Sequence, residues 1–110
     1  MLRENATIIV AKNERWRGAV TTEPVECGWA EEAIFFVRAL GGDAGADVTV
    51  SVEISPDGMH WTEAGVEGLL PADLAATTAL RVRHFGNWLR LSTTIPDTAE
   101  FVALVSLHLK

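Results

Sequence analysis

The chain has 110 residues, of which 48% are hydrophobic and 22% are charged, and its formal net charge is −6 at pH 7. This size and composition predict a single packed domain spanning 1–110 and exclude a disordered or fibrous chain. The acidic charge disfavours nucleic acid as a partner, and no apolar stretch approaches the roughly 20 residues of a membrane helix.

The beginning of the chain, Met1 to Asn5, lacks the basic and apolar regions of a signal peptide, which predicts a location in the cytoplasm or in a virion. Cys27 is the only cysteine, so an intrachain disulfide is excluded. Acidic neighbours such as Glu26 raise the pKa of a thiol rather than lower it. We therefore expect Cys27 to act as an inert, small hydrophobic residue.

Apolar segments separated by turn residues predict about seven or eight strands. These strands are Thr7 to Ala11, Arg15 to Val20, Ala33 to Leu40, Val48 to Ile54, a strand from Met59, Leu80 to Phe85, Trp88 to Ser92, and Glu100 to Leu109. Leu69 to Ala79 interrupts the pattern and predicts one helical turn or a connecting loop. The number and spacing of the strands predict an all-β fold, an antiparallel β-sandwich.

Two hairpins are predicted from turn residues. Ser55-Pro56-Asp57-Gly58 suits a type I turn, and pairing Ile54 with Met59 places Trp61 on the core face of the next strand. Gly86-Asn87 suits a type II′ turn in a hairpin from Leu80 to Ser92. Pairing Phe85 with Trp88 places one set of side chains toward the core: Leu80, Val82, His84, Leu89 and Leu91.

The opposite face of the second hairpin is the candidate surface for a ligand or partner. It combines arginines with aromatic rings, and the same combination recurs at Trp16, which lies between two arginines. The residues of this candidate surface are Arg81, Arg83, Phe85, Trp88, Arg90 and Trp16. Arg83 is expected across from Arg90, a repulsive pair. Two interpretations stay open: the surface binds a sugar ring or an acidic protein, or carboxylates of a neighbouring strand or subunit pair with the arginines.

Three predicted strands are apolar on both faces: Ile8 to Val10, Ile34 to Val37, and Phe101 to Val105. Because an antiparallel sheet with one solvated face alternates apolar and polar residues, something must cover the second face. The cover is a second copy of the chain, or else a loop or a crossing between the sheets. The candidate oligomer interface consists of Ile8, Val10, Ile34, Phe36, Val102 and Leu104.

Signals for catalysis are missing from the sequence. The three histidines, His60, His84 and His108, do not have the spacing of transition-metal ligands, and His84 is expected on the core face with the other two outward. No nucleophile elbow or phosphate-binding loop is present, so we expect no enzyme activity and no cofactor. Turn-forming Asp43, Asp47 and Asp57 leave open a calcium site at one end of the sandwich.

The segment from Val48 to Trp61 contains Ser-Pro-Asp-Gly-Met-His-Trp, and Asn87-Trp88-Leu89-Arg90-Leu91 precedes an apolar final strand. This pattern resembles small jelly-roll-like modules, which occur in discoidin-like and carbohydrate-binding domains and among phage and prophage accessory proteins. The resemblance covers about half of the chain. It implies a structural or assembly protein that forms a homo-oligomer or decorates a larger particle, or alternatively a glycan-binding module.

Overall fold

The computed structural model describes residues 5–45 and 47–110, and all regular secondary structure in these ranges is β-strand. Nine strands are present, slightly more than predicted. They are β1 (Ala6–Trp16), β2 (Gly18–Thr21), β3 (Val25–Glu26), β4 (Glu32–Asp43), β5 (Thr49–Ser55), β6 (Thr62–Leu69), β7 (Thr77–Arg83), β8 (Trp88–Ile95) and β9 (Glu100–Leu109).

The strands form two antiparallel sheets that pack face to face. Sheet A has the order β1-β9-β4-β7, and sheet B has the order β2-β8-β5-β6, with the short β3 also paired to β8. The antiparallel β-sandwich predicted from the sequence is therefore confirmed. Side chains alternate in and out along each strand, so the inward set of both sheets builds one shared core.

The alternation is clearest in β9, one of the two central strands of sheet A. Every second side chain from Phe101 to Leu109 is buried, and the residues between them are half-buried. The fully buried side chains of both sheets are dominated by Phe, Leu, Ile and Val, among them Phe35, Leu80, Val52, Leu91 and Ile95. Burial of these apolar groups is the main source of the fold's stability.

The predicted hairpin between Leu80 and Ser92 is wrong. Strand β7 pairs with β4 in sheet A, whereas β8 pairs with β5 in sheet B, so 84–87 crosses between the sheets. His84 has a left-handed φ of 53° and Gly86 a φ of 75°, which interrupts the strict alternation. As a result His84 is exposed and Phe85 is buried, the reverse of the prediction, while Leu80, Val82, Leu89 and Leu91 face the core as predicted.

The turn after β5 is longer than predicted. Ile54 pairs with Thr62 rather than with Met59, and Met59 is 75% exposed instead of facing the core. Asp57 reorganises the segment because its Oδ1 accepts the backbone N–H groups of Met59 and His60, both at 2.9 Å. These bonds hold the pKa of Asp57 below its usual range. Trp61 is half-buried at the end of this loop rather than in the core.

Two smaller expectations concern Cys27 and the segment from Leu69 to Ala79. Cys27 is fully buried, and burial together with the Glu26 charge raises its pKa to about 11, which agrees with an inert thiol. Residues 70–76 of that segment form a loop, in which Asp73 Oδ1 accepts the N–H groups of Ala75 and Ala76 at 2.9 Å, whereas Leu69 ends β6 and Thr77 to Ala79 begin β7. Within the described residues, no helix has the length and apolarity needed to cross a membrane.

Candidate functional site

The outer face of sheet A is built from rows of side chains that lie opposite one another on its four strands. The rows are Thr7, His108, Ile34 and Arg81; then Ile9, Ser106, Phe36 and Ala79; then Lys12, Leu104, Arg38 and Thr77. A fourth, shorter row contains Arg15, Val102 and Gly41. This set defines what we call the A face.

Apolar side chains occupy the middle of the A face. Four of the six residues predicted as an oligomer interface lie there together, Ile34, Phe36, Val102 and Leu104, and each is half-buried. Ile9 adds a fifth apolar side chain that is 53% exposed. Because β9 and β4 are central strands, the apolar residues lie side by side rather than along an edge, which makes one patch on a sheet face.

The placement of Ile8 and Val10 in the interface is wrong. Ile8 lies opposite the buried Leu107, so it points inward, and Val10, two residues on, points the same way; a register shift between Ile9 and Ala11 then turns Ala11 inward as well. A β-bulge adds one residue and changes which side chains face outward. The sequence showed an apolar run here, but which of its residues face outward depends on the pairing of β1 with β9.

Positively charged side chains lie beside the apolar patch. In the three complete rows the ionisable side chains other than His108 are Lys12, Arg38 and Arg81, which are cationic. Within residues 5–45 and 47–110, none of these three forms an ion pair. Sequence reasoning identified Arg81 but missed Lys12 and Arg38, because it did not place β1 and β4 on either side of β9.

His108 is tied into the same face by its neighbours. Its Nδ1 lies 3.2 Å from Thr7 Oγ1 and its Nε2 lies 3.3 Å from Ser106 Oγ. Its ring meets the Phe36 ring edge-on, with the centroids 5.0 Å apart, a favoured aromatic geometry. These contacts fix the Phe36 ring at the centre of the A face, so the patch has a defined shape.

The arginine and aromatic surface predicted from the second hairpin does not exist as one surface. Arg81 and Arg83 belong to sheet A, whereas Trp88 and Arg90 belong to sheet B on the other side of the molecule. Phe85 and Trp16 are each 2% exposed and lie in the core. Trp16 pairs with Phe101 across β1 and β9, with ring centroids 5.7 Å apart, so the chain uses it for packing.

Arg83 and Arg90 do not face each other. Arg83 pairs with Glu32 on β4, the residue directly opposite in the register. Arg90 Nε donates to Glu53 Oε1 at 2.7 Å, and its guanidinium lies 4.1 Å from the centre of the Trp61 ring. Carboxylates from neighbouring strands therefore pair with both arginines, the second of the two interpretations considered from the sequence.

Trp88 lies beside the loop after β5. A Cβ added to Gly58 would come within 3.2 Å of the Trp88 ring, so the glycine lets the loop backbone rest on the ring. Asn87 joins two loops at this end, because its Nδ2 donates to the Pro56 carbonyl at 3.0 Å and its own carbonyl accepts the Cys27 N–H at 2.7 Å. Trp88 and Asn87 thus hold the loops in place.

The three aspartates considered for calcium do not meet. Asp43 and Asp47 precede β5 and Asp57 follows it, so seven strand residues, about 20 Å of extended chain, separate them. Within the described residues, no group of His, Cys, Asp or Glu has the geometry of a metal site. His60 lies on the exposed loop, with its Nδ1 2.6 Å from Asp57 Oδ2.

No protein-family model matches the sequence, and a search of curated proteins finds no relative. Solved structures do share the fold. The SPBc2 prophage-derived protein YomS has a TM-score of 0.63 at 8% identity, with 96% of this chain and 92% of that chain covered. The PBSX exported protein XepA has a TM-score of 0.66 at 13% identity, and the match covers 94% of this chain but 36% of XepA.

A protein of the Bacillus endospore appendages, which form disulfide-linked pili, has a TM-score of 0.54 at 10% identity, with 97% of this chain and 87% of that chain covered. At such low identity these likenesses show the fold alone. The resemblance to prophage proteins holds at the level of structure.

Proposed function

We propose that this chain is a non-catalytic structural protein that assembles through the A face, either with copies of itself or within a larger particle of the phage or prophage type. The observation that carries the proposal is the apolar patch around Phe36 on the central strands of sheet A. Isolated apolar residues are ordinary on protein surfaces, but a contiguous patch marks an interaction surface.

The size of the A face is sufficient for a specific contact. Four strands spaced about 4.8 Å apart, with ten residues rising about 3.4 Å each, give a face on the order of 650 Å². A standard protein interface buries about 800 Å² on each partner. The A face alone therefore covers about four-fifths of the area that one partner buries in a standard interface.

The fold neighbours add support of a general kind. Two of them are prophage proteins, and a third belongs to pili on endospores. Assembly into pili is a property of the endospore protein, and for this chain assembly is part of the proposal. Enzyme activity is not part of it: His108 contacts the Thr7 and Ser106 hydroxyls on the A face, but within the described residues no carboxylate is hydrogen-bonded to its ring to orient it as a base.

The test is the mass of the protein in solution. Light scattering coupled to size exclusion at micromolar concentration should give a mass above that of one chain for the wild type. Phe36→Ser and Leu104→Ser should lower that mass toward the monomer, because each removes apolar area from the A face. Leu74→Ser is the matched control, since Leu74 is 59% exposed on the loop between β6 and β7.

The control should keep the wild-type mass, and circular dichroism should show that all variants are folded. A wild type that stays monomeric at every concentration and binds no virion component would contradict the proposal.

Glycan binding, the alternative function, has less support. Trp16 and Phe85 are in the core, and one face of the Trp61 ring is covered by Arg90. Stacking on a sugar needs an open ring face. A glycan array read by tryptophan fluorescence tests this alternative, and binding that is lost in Trp88→Ala would support it.

A further inference from the structure

The two outer faces of the sandwich carry opposite charge. The outer face of sheet B, here the B face, contains Glu26 opposite Trp88, Glu53 opposite Arg90, and Glu63 and Glu67 on the edge strand β6. Its one strand cation, Arg90, is already paired with Glu53. Within the described residues, Glu26, Glu63 and Glu67 form no ion pair, so the B face is net acidic.

Away from Trp61 and Trp88, the B face is flat along β2, β8 and β5. Between its charged rows lie hydroxyl and methyl side chains on three neighbouring strands, namely Ala19, Thr21, Ser51, Ser92 and Thr94. Small side chains allow another surface to approach closely. The protruding Phe36 and Leu104 of an A face can therefore rest on this part of a B face, which has Trp61 and Trp88 at one end and the exposed Leu69 at its edge.

The charge of the A face decides how two copies can meet. In a two-fold symmetric contact the same patch lies on both sides of the interface. Two A faces would then bring Lys12, Arg38 and Arg81 of one copy near the same three cations of the other. Like charges in contact oppose association. A contact between an A face and a B face instead places cations against Glu63 and Glu67.

We propose that copies of this chain stack head to tail, with the A face of one copy on the B face of the next. The inference rests on the proposed assembly function and specifies its partner and geometry. Because the two faces lie on opposite sides of the sandwich, each added copy leaves one A face and one B face open. Such a heterologous contact continues as a filament, or closes into a ring if the rotation between copies allows it.

Charge reversal on each face separately tests the geometry. The first variant carries Arg38→Glu and Arg81→Glu on the A face, and the second carries Glu63→Lys and Glu67→Lys on the B face. A control with Glu23→Lys and Asp97→Lys has the same net charge as the second variant, with both changes outside the strands. Sedimentation velocity measures the mass of each variant alone and of the first two mixed in equal amounts.

Head-to-tail stacking predicts that both face variants are monomeric alone, because each has lost one complementary face. Their mixture should recover a mass of two chains or more, since both kinds of contact are again between opposite charges. The control should assemble like the wild type. High salt should weaken wild-type assembly, because it screens the charges that select the A and B faces.

A B-face variant that assembles like the wild type would overturn the head-to-tail geometry. If Phe36→Ser still dissociates the wild-type assembly in that case, the proposed assembly through the A face stands and only the stacking mode is wrong. If the wild type is monomeric, the proposed self-assembly and the stacking both fail.

Discussion

Replacement of Arg90 by Met tests whether the Arg90, Glu53 and Trp61 cluster is structural. Arg90 and Glu53 are 21% and 19% exposed, and their contact distance is 2.7 Å. Met keeps an apolar stem of similar length but removes the charge. The variant therefore leaves the Glu53 carboxylate in a largely buried position without its partner.

The magnitude follows from the degree of burial. Removal of one partner costs about 3–5 kcal/mol for a fully buried ion pair and about 0–1 kcal/mol for an exposed pair. A pair that is about four-fifths buried should lie between these limits, near 2 kcal/mol, and loss of the contact with the Trp61 ring adds about 0.5–1 kcal/mol. We expect Arg90→Met to lower the free energy of unfolding by about 2–3 kcal/mol.

The assay is urea unfolding followed by tryptophan fluorescence, with Arg90→Met, Glu53→Gln and the double variant measured as a cycle. The coupling between the two residues should be about 1–2 kcal/mol. Arg83→Met is the control, because Arg83 pairs with Glu32 on the surface and is 71% exposed. A loss below about 0.5 kcal/mol for Arg90→Met, with no coupling to Glu53, would refute a structural role for the pair.

Three further predictions concern the fold and its loops. Gly42→Ala should destabilise the protein by about 3 kcal/mol, because its φ is +73° and an added Cβ would overlap the Glu100 carbonyl oxygen. Gly65→Ala is the control: Gly65 has a φ of +78° but open space around it, so the loss should be about 1 kcal/mol, and equal losses in thermal unfolding would contradict the overlap. Thr22→Val should lower the free energy of unfolding in urea by about 1–3 kcal/mol, because it leaves the buried Leu91 N–H without the Thr22 Oγ1 acceptor that lies 2.9 Å away. An unchanged urea midpoint would show that this hydrogen bond does not contribute to stability. The Asp57 carboxylate, whose pKa is lowered by backbone N–H groups, should stabilise its loop fully above about pH 4 and lose this effect as the pH falls further. The amide NMR shifts of that loop should therefore change with added acid in the wild type, and the same change in Asp57→Asn would exclude Asp57 as the cause.

The sandwich itself was accessible from the sequence because alternation is a local signal. Strand β9 runs from Glu100 to Leu109, the bounds predicted, and its inward and outward residues differ at every step. The central part of β5 was predicted for the same reason. An apolar outer face on sheet A also followed, since Ile34 to Val37 and Phe101 to Val105 leave no polar side.

The sheet to which each strand belongs could not be predicted from the sequence, because it depends on pairing between strands that are far apart in the chain. Gly86-Asn87 satisfies the local requirements of a hairpin, yet β7 pairs with β4 and β8 with β5. Locally consistent turn chemistry cannot distinguish a hairpin from a crossing between two sheets. The error put Trp88 and Arg90 on the same face as Arg81, and this is why the predicted arginine surface was wrong. Four of the six residues of the predicted interface, by contrast, do lie together on the outer face of sheet A.

Single residues with unusual backbone geometry caused the remaining errors. His84 adopts a left-handed φ although it is not a glycine, and a sequence pattern does not predict such a conformation. In β1, Ile8 and Val10 point inward and Ile9 outward, the opposite of the prediction, and the bulge after Ile9 turns Ala11 inward against the simple alternation. Asp57 extended the turn after β5, since one carboxylate accepts two backbone N–H groups there. Each feature is a local departure from the period of two on which the predictions depend.

Hydroxyl-radical footprinting as a function of protein concentration tests the assembly role of the A face most directly. As the chain associates, Phe36 and Leu104 should become protected from oxidation, whereas Met59, which is 75% exposed on the loop after β5, should remain as reactive as in the dilute protein. Unchanged oxidation of Phe36 and Leu104 in an associated sample would contradict the account, because the chain would then assemble through a different surface.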